Sequence, residues 1–400
     1  MIIKKNLKND GWNPYLKRIP TTKKLKQDWK GFVDMENEKK EKNKTTFKIP
    51  TLQPGTTGNE ILFILKDYGY YEEEKLQELI PNKKPDTIRK MVRVLEKTGY
   101  LMRKKGIDGT IILTLSRLGK DILDVEKDFV ASTPQKITRM ANLSVVEMMF
   151  DKSVPVGHRE EVQKQTFYQS KQDIMQKYPG CEKVLSSSRM AGVYHHYDTL
   201  MVVFKLGNTM FWLDNAERQV REYLEEQIFR KKITRAIFFV ENYKKEAVRF
   251  LWQDAEQTKQ HIGKTLRESL ELSSCYQKAF LFTTDRTGMS QLRLFRSIKY
   301  IERMFLEAVF EQDEISGVND SIADGYINNI KCLVLFSCDI IKIKKIRRML
   351  DTGLIDRANI ICYDFQESFL RIAFAPWEDR LLYNSYYISE LKNTFRLFEY

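Results

Sequence analysis

The sequence predicts an α/β protein that opens with a winged helix-turn-helix. Three observations carry this expectation: a helix, helix, helix, hairpin order between Gly58 and Leu123, a series of apolar runs alternating with helices after about residue 135, and positive charge gathered toward the N-terminal end. At 400 residues the chain is long enough for two or three domains, and 42% hydrophobic with 12% aromatic residues is enough to fill their cores. The expected division is a basic leader over 1–50, the winged helix-turn-helix over 51–125, and an α/β domain over 135–400 with a core at 160–245 and an extension at 246–400.

The leader carries fourteen Lys/Arg against six Asp/Glu, a net of +8. Residues Thr51 to Val125 add thirteen against eleven, so most of the chain's +13 lies in its first third. Charge placed this way is the footprint of phosphate binding, since Lys and Arg release the counterions condensed on a nucleic acid. A solubilising tail would have the same composition. Trp12, Tyr15, Trp29 and Phe32 stand among the leader's lysines.

After the Pro54-Gly55 turn signal, Asn59 to Tyr68 reads as an apolar helix closed by Gly69, and Glu72 to Ile80 as a short acidic helix stopped by Pro81-Asn82. In the following segment Ile88, Met91, Val92 and Leu95 fall at i, i+3, i+4 and i+7, leaving Thr87, Arg89, Lys90 and Arg93 on other faces. An apolar stripe seated on two preceding helices, with basic side chains outward, is what a major-groove recognition helix needs. Gly99 caps this helix. Leu101 to Lys105 and Thr110 to Leu115 then flank Gly106-Ile107-Asp108-Gly109, a hairpin signature with Gly109 at the positive-φ position. Base contacts are expected from Thr87, Arg89, Lys90 and Arg93, and backbone contacts from Lys83, Lys84 and the hairpin cations Arg103, Lys104 and Lys105. The partner implied is double-stranded DNA, although a winged helix also serves as a protein-docking module.

In the larger region Val162 to Tyr178 reads as a polar helix broken by Pro179-Gly180. Met190 to Tyr197, Thr199 to Lys205 and Thr209 to Leu213 read as strands, the last two joined by Leu206-Gly207-Asn208. Asn215 to Arg230 is an amphipathic helix, and Ile233 to Val240 an all-apolar strand of a sheet interior. Ala279 to Phe282, Lys331 to Phe336 and Ile360 to Tyr363 extend the α/β pattern. No P-loop and no G-x-G-x-x-G occurs, so nucleotide-dependent chemistry has no motif behind it.

The longest apolar runs, such as Ala236 to Val240 and Cys332 to Phe336, are far below the roughly 20 residues that span a bilayer, and the first residues lack the apolar stretch of a secretory signal. A cytoplasmic protein with no membrane partner is expected. The five cysteines, Cys181, Cys275, Cys332, Cys338 and Cys362, have no C-x-x-C spacing, which points to reduced, buried thiols and away from a zinc site.

Tyr197-Asp198 opening one strand, followed by Phe211-Trp212-Leu213-Asp214-Asn215-Ala216-Glu217-Arg218 behind a winged helix, resembles the replication-relaxation family of plasmid and mobile-element proteins, some of them relaxases. The likeness covers about Gly58 to Tyr243 and its motifs are short. It implies a degenerate restriction-endonuclease-like core in which Asp198 and Asp214 would hold Mg²⁺ or Mn²⁺. Ala216 stands where that fold's lysine belongs, which argues for a core kept for binding or assembly. A plain helix N-cap for Asp214 and a turn role for Asp198 are equal alternatives.

Tyr194-His195-His196-Tyr197 holds two of the four histidines. Adjacent histidines in a strand face opposite ways and cannot share a metal from one side. If the chain nicks DNA, Tyr197 or His196 would be the nucleophile, with Tyr194 and His195 as further candidates; simple packing is the competing reading. The expected function is sequence-specific DNA binding in the replication initiation, mobilisation or control of a plasmid or mobile element, with self-association or other replication and mobilisation proteins as partners. The alternatives are a metal-dependent nicking enzyme and a transcriptional regulator with a sensing or dimerising α/β domain.

Overall fold

The computed structural model describes residues 56–80, 82–107, 109–125, 131–154, 164–206, 214–243, 276–309, 323–327 and 329–394. The basic leader, the expected strand at Thr209 to Leu213, and Cys275 lie outside them. Among the described residues the architecture is mixed α/β, with three sheets.

Helix α1 (Thr57–Tyr68) starts where the Thr56 side chain accepts from the Asn59 N–H and ends at Gly69, whose φ of 76° suits a residue without a Cβ. The next stretch is not the single helix its acidity suggested. Tyr70–Glu72 forms strand β1, and a 3₁₀ turn (Glu73–Lys75) leads into a one-turn helix α2 (Leu76–Leu79). Tyr70 and Tyr71 are buried aromatic residues, and pairing with the hairpin satisfies their backbone. Helix α3 (Pro85–Lys97) carries Pro85 in its first turn and is followed by Gly99 at φ 81°. Strands β2 (Leu101–Lys105) and β3 (Ile111–Leu115) form the expected hairpin with Gly109 at φ 82°, and β1 adds to β3 to give the order β1-β3-β2. Helix α4 (Arg117–Leu123) closes this unit, its N–H at Gly119 donating to the Ser116 hydroxyl.

Helix α5 (Pro134–Lys152) has apolar residues around most of its circumference, the pattern of a helix covered on more than one side. Its first half buries Ile137 and Ala141 against Tyr70, Ile112 and Ala131 behind the hairpin. Its second half buries Val145, Met148, Met149 and Phe150 in a core that contains both Ile61, Val92 and Leu95 of the N-terminal unit and Met201, Phe239 and Phe282 of the next sheet. One continuous apolar core therefore runs across the expected boundary near residue 130.

Strands β4 (Thr166–Ser170), β5 (Gly192–His196), β6 (Thr199–Lys205), β7 (Arg235–Val240) and β8 (Lys278–Thr283) lie side by side in chain order, antiparallel from β4 to β6 and parallel from β6 to β8. Two sequence expectations change here. The stretch read as one helix from Val162 begins with β4, and only then forms α6 (Lys171–Lys177), started by a capping box between Ser170 and Asp173. Strand β8, from the segment set apart as an extension, pairs with β7 along its whole length. Helix α7 (Glu182–Ser187) precedes β5, and α8 (Asp214–Tyr223) runs into a π-turn (Leu224–Ile228) before β7.

Alternation along the strands separates two cores. Val202, Phe204, Phe238 and Leu281 face α8 and the second sheet, whereas Met201, Ile237, Phe239 and Phe282 face α5 and α9 (Arg286–Ser297). After α10 (Ile301–Val309), strands β9 (Gly325–Ile327) and β10 (Ile330–Val334), helix α11 (Ile340–Asp351), strand β11 (Ala358–Tyr363), helix α12 (Asp364–Ala373), a 3₁₀ turn (Ala375–Arg380), strand β12 (Leu381–Tyr386) and helix α13 (Ile388–Thr394) complete the described residues. Their sheet has the order β12-β11-β10-β9, parallel except for β9. Cys181, Cys332, Cys338 and Cys362 are buried free thiols, and no helix among the described residues is long and apolar enough to cross a membrane.

Candidate nucleic-acid interface

Helix α3 divides cleanly. Ile88, Val92 and Leu95 are buried and Met91 half-buried, while Lys84, Thr87, Arg89, Lys90 and Arg93 are exposed. Lys83, just ahead of the helix, is half-buried. Arg89 makes a 3.7 Å contact with Asp86 in which both side chains remain more than half exposed, an arrangement that contributes little and yields readily to a competing anion. Lys90 and Arg93 form no ion pair among the described residues. The sequence reading left out Lys97, which is exposed and one turn beyond Arg93 on the same stripe. Its signal was the same spacing of three and four that placed Lys90 and Arg93 together.

The hairpin cations part company. Arg103 points back at the helices: Nε and Nη2 donate to the two Glu73 carboxylate oxygens at 2.9 and 3.0 Å, and Nη1 donates to Glu96. The Glu73 hydrogen bond outweighs the opposing burial and holds its pKa above the ordinary arginine value. Lys104 Nζ donates to the Ala131 carbonyl at 3.0 Å and lies 5.5 Å from the Tyr70 ring centre. Lys105 is exposed. The expectation of three parallel phosphate contacts thus narrows to Lys105, because the other two cations are held by internal acceptors. The hairpin tip is fixed as well, with the Ile107 N–H donating to Thr138 Oγ1 on α5 at 3.0 Å.

The unit is clipped to the larger sheet through charge. Lys75 Nζ donates to Glu72 at 2.9 Å and to Glu241 at 2.7 Å, and the buried Lys205, at the end of β6, donates to the same Glu241 oxygen at 3.2 Å. Burial works to raise the Glu241 pKa, but Lys205 and Lys75 together hold it down to about 2. Arg286, in the first turn of α9, donates to the Gln77 carbonyl at 3.2 Å.

The Tyr-His-His-Tyr segment is distributed over two faces of β5 and its turn. His195 Nε2 donates to Gln169 Oε1 at 2.9 Å and stacks on Phe167 at 4.0 Å. His196 points the other way, with Nε2 donating to the Phe295 carbonyl at 3.1 Å and its ring stacked on Phe295 at 4.7 Å. Burial lowers both histidines to about 4, so both are neutral at physiological pH. The Tyr194 ring is buried and burial raises its pKa; Tyr197 takes φ 54° in the turn, and its hydroxyl donates to the Ser297 carbonyl at 3.4 Å. Each of these groups is thus engaged in ring packing, in a hydrogen bond to Gln169 or to a backbone carbonyl, or is buried in the core.

The resemblance implies a divalent metal between Asp198 and Asp214, and the residues do not fit it. Asp198 lies in the turn that starts β6, exposed and 3.4 Å from Lys299. Asp214 opens α8, whose Glu217 accepts from the Ser188 hydroxyl and the Arg189 N–H, ahead of β5 and therefore beside the far end of β6. Seven residues of β6, roughly 20 Å of strand, separate the two ends, far beyond what one ion bridges. A buried lysine does end β6, but Val203 stands two residues before Lys205 where a ligand acid would be needed. Among the described residues no group of three or more His, Cys, Asp or Glu side chains is placed to hold a metal ion.

Comparison with known proteins returns no match: no family model, no curated protein and no solved structure.

Proposed function

We propose that the chain binds double-stranded DNA through a winged helix-turn-helix formed by α1 to α4 and the β2–β3 hairpin, with α3 entering the major groove. The observation that carries this reading is the outer face of α3, where Thr87, Arg89, Lys90 and Arg93 are exposed over a buried Ile88-Val92-Leu95 stripe. Lys84 and Lys105, exposed to either side, supply backbone contacts. The basic leader adds further positive charge to the same end of the chain. The resemblance of the sequence to the replication-relaxation family supports a role in the replication, mobilisation or control of a plasmid or mobile element, as a binding protein whose α/β region assembles or recruits.

The test is selection of bound sequences from a random duplex pool, followed by affinity measurements on the selected site. Arg89→Ala and Lys90→Ala should erase the preference for that site while the thermal unfolding profile stays unchanged. Selection of no sequence, or undiminished preference in both variants, would remove α3 from the role.

A further inference from the structure

We infer that the junction between the hairpin and the α/β region holds a phosphate group, gripped by Arg139, Lys171 and Arg189. Arg139 on α5 and Lys171 at the start of α6 converge on one acceptor: Arg139 Nη2 and Lys171 Nζ reach the Ser188 carbonyl at 2.9 and 3.0 Å. Their cationic heads therefore lie within about 6 Å of each other, a distance at which like charges repel appreciably inside a protein. Glu217 is the carboxylate of this cluster, and it is already engaged, accepting from the Ser188 hydroxyl and the Arg189 N–H. Among the described residues none of the three cations forms an ion pair.

Lys171 is only 4% exposed, and an ammonium with three N–H donors is left there with one acceptor. Burial first, then Arg139, with Arg189 adding less than Glu217 offsets, lower its pKa to about 7. Arg139 also donates to the Ser186 carbonyl at 3.4 Å, so both cations finish the last carbonyls of α7. That role uses one stretch of backbone and leaves the positive excess standing. An oxyanion with several acceptor oxygens supplies both missing items, the charge and the hydrogen-bond acceptors. Arg189 is exposed, the one of the three cations that solvent reaches freely.

The position suggests the source of the phosphate. Thr138, the residue before Arg139, is the one that accepts the hairpin's Ile107 N–H, and Lys136 is exposed on the preceding turn. A DNA strand lying along the hairpin would pass this cluster next, an arm that rests on the DNA-binding reading; a free or terminal phosphate would satisfy the same groups without it.

The experiment compares the full chain with Arg139→Gln/Arg189→Gln, leaving the buried Lys171 in place. Inorganic phosphate is titrated against thermal unfolding, and a labelled duplex is titrated over a range of salt concentrations. Phosphate should raise the wild-type Tm more than that of the variant, a difference that cancels general salt effects. If DNA supplies the phosphate, the variant should bind the duplex about tenfold more weakly, and its plot of log affinity against log salt should be shallower by about 2. An unchanged slope with a lost phosphate response assigns the site to a free phosphate. Equal phosphate responses together with equal slopes overturn the site. Arg189→Gln alone, at an exposed position, repeats the comparison should the double variant fold poorly. Failure of the α3 reading is seen separately, as intact duplex binding in Lys90→Ala/Arg93→Ala.

Discussion

Lys75 and Glu241, 166 residues apart in sequence, meet at 2.7 Å and join the turn before α2 to the end of β7. The same carboxylate neutralises Lys205, whose side chain is 3% exposed. Replacing Glu241 with Gln leaves Lys205 buried without its ion-pair partner, a change expected to cost on the order of 3 kcal/mol, measured by urea unfolding. Lys205→Met in the same background should return most of that loss; no recovery would mean that Glu241 acts through Lys75 alone.

Acid should weaken the fold in two stages. His195 and His196 have folded pKa values of about 4, below the ordinary 6.5, so between those pH values the unfolded chain takes up more protons than the folded one. Stability falls as the pH drops through that window. Glu241, held at about 2, contributes stability that is complete above its ordinary value of 4.5 and is lost as pH falls from there toward 2. Unfolding free energy measured from pH 8 to 3 should decline from about pH 6.5 downward, and His195→Phe/His196→Phe should flatten the upper stage; a flat wild-type profile from pH 7 to 5 would contradict the neutral burial of both rings.

Arg103 and Lys105 should separate stability from binding. Arg103→Ala removes the clamp on Glu73 and Glu96 and should cost about 1–2 kcal/mol with no change in the salt slope of DNA binding. Lys105→Ala should leave stability within about 0.5 kcal/mol and reduce that slope by about 1. The reverse pattern would show the hairpin's cations assigned the wrong way round.

Gly119 presses α4 onto the start of the hairpin. A Cβ there would lie 2.1 Å from the Tyr100 carbonyl oxygen, a backbone atom with nowhere to yield. Gly119→Ala should destabilise by about 2–3 kcal/mol in chemical unfolding, against less than about 1 for Ala at a helix surface position of the same unit.

What the sequence made legible follows from pattern strength. The i, i+3, i+4, i+7 set of α3, the Gly109 hairpin and the all-apolar β7 are each fixed by local rules, and each appears within a residue or two of its expected place. Strand β4 was hidden because it is an edge strand that buries Thr166 and Ser170 while its Phe167 stays partly exposed, the inverse of the usual alternation. Strand β1 is three residues long, too short for any period to register. In the candidate site the outward face of α3 was readable, but the fate of Arg103 and Lys104 was not, since Glu73, which takes two of Arg103's hydrogen bonds, and Ala131, which accepts from Lys104, lie 30 and 27 residues away. The meeting of Arg139 with Ser188 spans 49 residues and depends wholly on tertiary packing.

Helix α5 sets the size of the cooperative unit. Because Val145, Met148 and Phe150 sit in a core shared by Leu95 on one side and Phe239 on the other, neither side can melt without uncovering the other's apolar surface. A fragment cut at residue 125 would carry away the proposed recognition surface but leave its supporting wall behind. If that surface binds a duplex as proposed, the angle at which it does so is accordingly a property of the whole body, and two copies bound at neighbouring sites would be spaced by the girth of the α/β region rather than by the reach of a tether.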